Sequence, residues 1–356
     1  MKTLDIHIPR PPAHTEITIG AGALQKLFCR GKRAVIADET VLRLHPDKLP
    51  EGELIPLSAG EKVKCRQEKE RLEELLIDAG FGKECTLIAV GGGSLMDLVG
   101  FVAATYCRGV NLILCPTTLL GMVDAALGGK NGINCSAGKN FLGTVYQPSQ
   151  VFCDTDFLKT LPPRELGQGI VEMLKHGALA SPSHFEKVQN GPLTDELLLE
   201  SCAIKKSFIE RDEVDHGARQ MLNFGHTVGH ALEKLSGYNV SHGAAVAFGC
   251  IAEALLSHRL GRLSESDFFH IATAFFPYAP EAVPKFSSDD FLEAMKRDKK
   301  ALGGKVRLVL LQAIGKGECV AVEDQAILEV LDDLRRNYRL FQGRGTKADR
   351  PRASLR

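Results

Sequence analysis

Two patterns of apolar and polar residues divide the chain. In the first half, short apolar runs end at a polar residue or a turn former: Arg33-Ala-Val-Ile-Ala-Asp38, Leu54-Ile-Pro-Leu57, Thr86-Leu-Ile-Ala-Val90 and Asn111-Leu-Ile-Leu-Cys115. Runs of this length predict strands buried on both faces. Cys65 to Leu76 sets Leu72, Leu75 and Leu76 at three-and-four spacing among charged residues, which predicts an amphipathic helix ending before Gly80. A second helical segment leads from Gly91-Gly92-Gly93-Ser94 to Cys107. Strands alternating with helices imply a parallel, Rossmann-like sheet.

After Pro162-Pro163 the period becomes helical, over 164–180, 195–212, 219–236, 242–260, 264–275, 288–300 and 323–340. One run, Val306-Arg-Leu-Val-Leu-Leu311, predicts a strand returning to a sheet edge. The expected fold class is α/β: an N-terminal Rossmann-like parallel-sheet domain over 1–163, a C-terminal mainly α-helical domain over 164–340, and the active site in the cleft between them. Residues 341–356 carry five basic groups and one acid among Gly, Pro and Ser, the composition of a disordered tail.

Composition narrows the partners. With 356 residues, and about 150 per domain as a guide, two domains are expected. Lys plus Arg and Asp plus Glu number 44 each, so the chain lacks the cationic excess of a nucleic-acid binder. An anionic partner must be small and bound locally. The ten cysteines include no CxxC pair and most lie in apolar runs, as reduced core thiols do. No stretch of about 18 apolar residues occurs and the N-terminus carries no leader pattern, so a soluble, cytoplasmic protein with no membrane partner is expected.

Three segments concentrate chemistry. Gly91-Gly92-Gly93-Ser94 follows a strand and opens a helix, where bare amides attract a pyrophosphate. Asp38 at a strand end, with Glu61 and Lys64 after the next strand, can reach a nucleotide or serve as caps and surface charges. The stretch from Pro116-Thr117-Thr118 through Asp124, Gly128-Gly129-Lys130, Gly138-Lys139 and Asn140 reads as a glycine-rich loop cradling a phosphate or carboxylate. In Asn223-Phe-Gly-His226-Thr-Val-Gly-His230 the two histidines share one helical face, and His242 follows. Spacing alone selects His226 and His230 as metal ligands, with Glu172 on an apolar helical stretch as a third. Lys175, Lys205, Arg219 and the pair Lys299-Lys300 lie beside these motifs and suit a multiply anionic substrate.

The ordered motifs Gly91-Gly-Gly, Asp97-Leu-Val-Gly, Arg108-Gly, Pro116-Thr-Thr-Leu-Leu, Gly128-Gly-Lys130, Gly138-Lys-Asn140, Tyr146-Gln-Pro148, Leu161-Pro-Pro-Arg-Glu165 and Leu222-Asn-Phe-Gly-His-Thr-Val-Gly-His230 resemble the 3-dehydroquinate synthase family across roughly residues 30 to 320. The resemblance implies a homodimeric, phosphate-eliminating lyase of the shikimate pathway using NAD and Zn2+, or Co2+. It implies Glu172, His226 and His242 as metal ligands, with His230 an acid/base beside the metal rather than a ligand. Implied NAD contacts are Asp38, Glu61, Lys64, Gly91, Gly92, Gly93, Asp97, Thr117, Thr118, Lys130 and Lys139. Implied substrate contacts are Asp124, Lys130, Asn140, Lys175, Lys205, Arg219, Asn223, His230 and Lys299 or Lys300, with Arg108 reaching the partner subunit's phosphate pocket. Of these, His230, Lys130, Lys175, Asn223 and Arg219 carry the catalytic role. Asn131 departs from a Thr, Cys135-Ser-Ala137 from a His-Pro-Leu type segment, and Ser94-Leu-Met96 from a Val-Ile-Gly type segment. Related readings are another sugar phosphate cyclase, or a metal- and NAD-dependent polyol dehydrogenase.

Overall fold

The computed structural model describes residues 13–58, 60–136, 138–281, 286–298 and 305–344. Six strands, β1 (Glu16–Ile19), β2 (Arg33–Asp38), β3 (Glu53–Leu57), β4 (Thr86–Gly91), β5 (Asn111–Pro116) and β8 (Gln150–Cys153), form one sheet in the order β1-β8-β5-β4-β2-β3, parallel throughout. Every residue of β4 is buried, as a strand covered on both faces requires. β3 alternates exposed and buried and carries Pro56, which an edge strand tolerates because its missing N–H costs no ladder bond. Helices α1 (Glu39–Leu44), α2 (Arg66–Asp78) and α3 (Gly93–Thr105) connect the strands. β1 and β8, at four residues each, are too short to have shown in the apolar pattern.

The glycine-rich stretch is not a loop. β6 (Lys130–Cys135) and β7 (Gly138–Val145) pair as an antiparallel hairpin against α3. Gly132 and Gly143 let the strands touch: a Cβ on Gly143 would lie 2.0 Å from the Asn131 carbonyl oxygen.

From Pro163 onward the chain is mainly helical: α4 (Pro163–Ala180), α5 (Pro182–Asn190), α6 (Asp195–Ile209), α7 (His226–Leu235), α8 (His242–Arg259), α9 (Glu265–Phe275), α10 (Ser288–Asp298) and α11 (Asp324–Arg344). Most of α8 is buried, and α4, α7, α9 and α11 pack around it. Several expectations need correction. The strand at Val306 is β9 (Val306–Ala313), which pairs antiparallel with β10 (Lys316–Val322) instead of returning to the large sheet. The β9–β10 hairpin is pinned to α8, where Glu253 and Ser257 accept the amides of Val309 and Leu311. The predicted helix 219–236 is two pieces, a 3-10 turn over Ala218–Asn223 and then α7, broken at Gly225. Gly225 has φ +76° and its Cβ would meet the Cys250 sulfur at 2.4 Å, so the chain turns there tightly against α8. Helix α5 is additional, and α11 runs through Arg344, so any tail begins later than Phe341. Residues 345–356 lie outside the described residues, as do Lys299 and Lys300. Among the described residues, no helix is long and apolar enough to cross a membrane.

Candidate active site

Helix α4 supplies a buried charged face. Glu172, Lys175 and His176 are all sealed from solvent, and Lys175 Nζ lies 2.5 Å from Glu172 Oε2. A buried carboxylate needs a cation close by. Burial alone would raise the Glu172 pKa, but Lys175, then His226 and His242, outweigh it and hold the carboxyl well below its usual range.

Two helix starts bring histidines to this carboxylate. His226 opens α7 and His242 opens α8; their Nε2 atoms lie 3.5 and 3.7 Å from Glu172 Oε1. His226 Nδ1 is 3.2 Å from the Phe224 carbonyl oxygen, and His242 Nδ1 is 3.3 Å from Glu233 Oε2. An acceptor at Nδ1 selects the tautomer that keeps the proton there and turns the Nε2 lone pair outward. Both Nε2 atoms face Oε1 of Glu172, a fully buried carboxylate whose other oxygen faces Lys175. That cluster of electron pairs calls for a cation. These three residues place ligand atoms within 4.8 Å of one another, and two imidazoles with a carboxylate are a donor set of the zinc type. Burial pushes the His242 pKa down, but hydrogen bonds to Glu172 and Glu233 outweigh this and push it up to about 10, so the two carboxylates together favour positive charge at this ring. His230, one turn along α7, places its ring 5.5 Å from that of His226 and 6.2 Å from that of His242. It groups with Glu233 and His242, not with Glu172.

Cations surround the cluster. Asp124, in a π-helical turn after β5, lies 2.6 Å from the buried Lys205 on α6, whose charge outweighs burial and holds the Asp124 carboxyl below its usual range. Arg219 is buried and donates from Nη1 to the carbonyls of Gly128, at 3.0 Å, and Glu213, at 2.6 Å. Gly128 has φ +91° and its Cβ would stand 2.4 Å from Arg219 Nη2, so only glycine admits the guanidinium. Asn223 lies half-buried on the same 3-10 turn as Arg219.

The nucleotide-type residues form a second cluster on the sheet side. Gly92 precedes α3, and Thr117 donates its amide to the Gly91 carbonyl at 2.9 Å. Gly93 sits against Ala125, which its Cβ would meet at 3.1 Å, and Thr118 Oγ1 accepts the Gly121 amide. Lys64 Nζ is 2.6 Å from Asp97 and also donates to Asn140. Burial pushes Asp97 up to about 6 against the pull of Lys64. Glu61 accepts from Ser94 and Asn134.

Several expected residues meet other protein groups in the structure. Asp38 caps α1 through the Thr40 amide at 2.7 Å. Asn140, expected on the substrate, is tied to Lys64 on the nucleotide side. Lys130 is 53% exposed and paired with Asp215. Lys139 pairs with Glu233 at 3.0 Å. Arg108 is exposed, follows Cys107 in the left-handed region at φ +64°, and makes no ion pair among the described residues. Glu233, Asp215 and His176 escaped sequence reasoning. The first signal was available for Glu233 alone, which stands seven residues after His226 and so on its helical face.

Two adjoining families, described as 3-dehydroquinate synthase N-terminal and C-terminal, match residues 54–168 and 169–301. A curated 3-dehydroquinate synthase of Neisseria gonorrhoeae is 38% identical over 92% of this chain and 98% of its own length. The chain belongs to the 3-dehydroquinate synthase family. A second 3-dehydroquinate synthase, from Acidithiobacillus ferrooxidans, is 39% identical over 85% of this chain and 89% of its own. The fold is shared with 2-epi-5-epi-valiolone synthase of Streptomyces hygroscopicus, solved with NAD+ and Zn2+ bound, at TM-score 0.84 and 23% identity over 94% of this chain and 100% of that one. Within the 3-dehydroquinate synthase family, the clusters described above lie in both matched segments: the nucleotide-type residues in the first, the carboxylate and histidines in the second.

Proposed function

We propose that this family member converts 3-deoxy-D-arabino-heptulosonate 7-phosphate to 3-dehydroquinate and phosphate. The observation that carries the reading is Glu172, a fully buried carboxylate whose Oε1 faces two imidazole nitrogens and whose Oε2 faces Lys175. Glu172, His226 and His242 would hold a Zn2+ or Co2+ ion, and Gly91 to Gly93, Thr117, Thr118, Asp97 and Lys64 would hold NAD. Held by these residues, the cation would supply Lewis-acid stabilisation of substrate hydroxyls and NAD a reversible hydride acceptor.

The chain's own groups do the rest. Lys205 and Arg219, both buried and directional, take the substrate carboxylate; Lys130, which is 53% exposed, takes the phosphate, with Asn140 and Arg108 of a partner copy. Asp124 keeps Lys205 aimed, and Lys175 balances Glu172. His230, beside the histidine pair, receives the hydroxyl proton, with Asn223 orienting the same end of the substrate. Cys107 and Arg108 both stand in the left-handed region and are exposed, a strained surface feature that supports a homodimer contact there. Ten free cysteines suit a reducing cytoplasm. We place the domain boundary between residues 163 and 164, at the first residues of α4.

The test incubates the protein with Zn2+, catalytic NAD and the heptulosonate phosphate and follows phosphate release. Multiple turnovers per NAD are expected. Stoichiometric NADH without phosphate would instead support a polyol dehydrogenase.

A further inference from the structure

Glu233 on α7 belongs to none of the expected contact sets, yet its carboxylate joins two of them. The side chain is 5% exposed and its oxygens are divided: Oε2 faces His242 Nδ1 at 3.3 Å, and Oε1 faces Lys139 Nζ at 3.0 Å. The opposite nitrogen of the same ring, His242 Nε2, faces Glu172 at 3.7 Å. The ring therefore stands between two carboxylates, one at each nitrogen. A carboxylate at Nδ1 keeps that nitrogen protonated and leaves the lone pair on Nε2, the atom aimed at Glu172.

The two histidines are restrained differently. His226 Nδ1 meets a main-chain carbonyl, that of Phe224, which the turn at Gly225 fixes. His242 has no backbone acceptor of this kind; Glu233 stands in its place. Glu233 is in turn held by Lys139, whose ammonium also sits 4.2 Å over the Tyr238 ring. Lys139 lies on β7 next to Asn140, which bonds Lys64. One ion pair thus ties the hairpin carrying Lys130 and Asn140 to a ring of the histidine cluster.

Glu233 also lies within ligand reach of His230 and His242. Its charge, however, is already matched by Lys139, and that grouping omits Glu172, the fully buried carboxylate whose Oε1 faces both imidazoles. We propose that Glu233 is a positioning residue: it orients His242 for the metal and, through Lys139, links that orientation to the β6–β7 hairpin. The proposal rests on the reading of Glu172, His226 and His242 as the metal ligands.

The test strips the full chain of metal and titrates Co2+ against a chromophoric chelator, without NAD or substrate. Glu233→Gln, which preserves size, is expected to weaken Co2+ binding on the order of tenfold to a hundredfold and to shift the visible cobalt bands. Lys139→Met is expected to weaken binding by a smaller factor, without loss of a ligand. Binding by Glu233→Gln within twofold of the parent, with unchanged bands, overturns the proposal. So does a loss as complete as that of His226→Ala, which would make Glu233 a ligand. If His226→Ala also leaves binding unchanged, the metal reading itself falls; if it abolishes binding while Glu233→Gln does not weaken it, only the positioning role falls.

Discussion

On α4, Glu172, Lys175 and His176 are buried with their partners, whereas on the β6–β7 hairpin Lys130 and Lys139 remain 53% and 30% exposed. Both regions offer charge to one site, but they stand in different dielectric surroundings. A charge on α4 has lost its water and depends wholly on neighbouring groups. A charge on the hairpin keeps much of its water, so its ion pair adds little and a ligand can replace it. The helix is a prearranged, stability-coupled scaffold; the hairpin carries exposed ion pairs that a ligand can exchange.

The largest test removes one member of the buried pair. Lys175→Met leaves Glu172 without its 2.5 Å partner, and is expected to destabilise the metal-free chain by about 3–5 kcal/mol in a denaturant titration. Added Zn2+ should restore part of the loss, since a cation at Glu172 substitutes for the ammonium. A change below about 1 kcal/mol would erase the distinction between the regions.

His176 gives the next effect, through pH. Its Nδ1 meets Ser201 Oγ at 2.8 Å, while burial, aided by Lys175, pushes its pKa down to about 3. Because the folded value lies below the unfolded value of about 6.5, the neutral ring's stability is complete above that pH and is lost as pH falls toward 3. From pH 6.5 to 5 the loss is about 1.6 kcal/mol. His176→Asn should flatten that part of a stability profile; an unchanged slope would show that other groups carry it.

The hairpin's anchorage is worth less. A Cβ on Gly100 of α3 would stand 1.9 Å from Asn131 Oδ1, and Asn131 Nδ2 bonds the carbonyls of Gly129 and Tyr146 at the hairpin base. Gly100→Ala should cost about 1 kcal/mol by forcing the amide aside. Adding Asn131→Ala should recover part of it in a double-mutant cycle, and strict additivity would count against the contact.

How legible each region was follows from the same contrast. β4, β5 and α3 were readable because burial on both faces leaves continuous apolar runs. The β6–β7 hairpin was not, because its glycines serve close backbone contact and its exposed positions include the apolar Phe141 and Val145. β9 was readable as a strand, but its partner β10 mixes Lys316, Gly317 and Glu318 into its pattern, and pairing choice is not a local property. At the site, Glu172 stood out as an acid on an apolar helix. The choice between His230 and His242 did not follow from spacing, because it depends on where α7 and α8 begin, and the break at Gly225 was hidden inside an unbroken helical period.

Lys130→Ala should have the smallest effect on stability and is for that reason the sharpest comparison. The side chain is half exposed and its partner Asp215 is 18% exposed, so removing the pair should change the unfolding free energy by no more than about 0.5 kcal/mol. The same change removes a cation that the arriving phosphate would take from Asp215, so KM for the heptulosonate phosphate should rise at least tenfold, and the rise should shrink as ionic strength increases for the parent enzyme. Lys130→Arg should recover part of the affinity. If stability instead fell by several kcal/mol, Lys130 would belong with the buried charges of α4, and the hairpin would be scaffold as well.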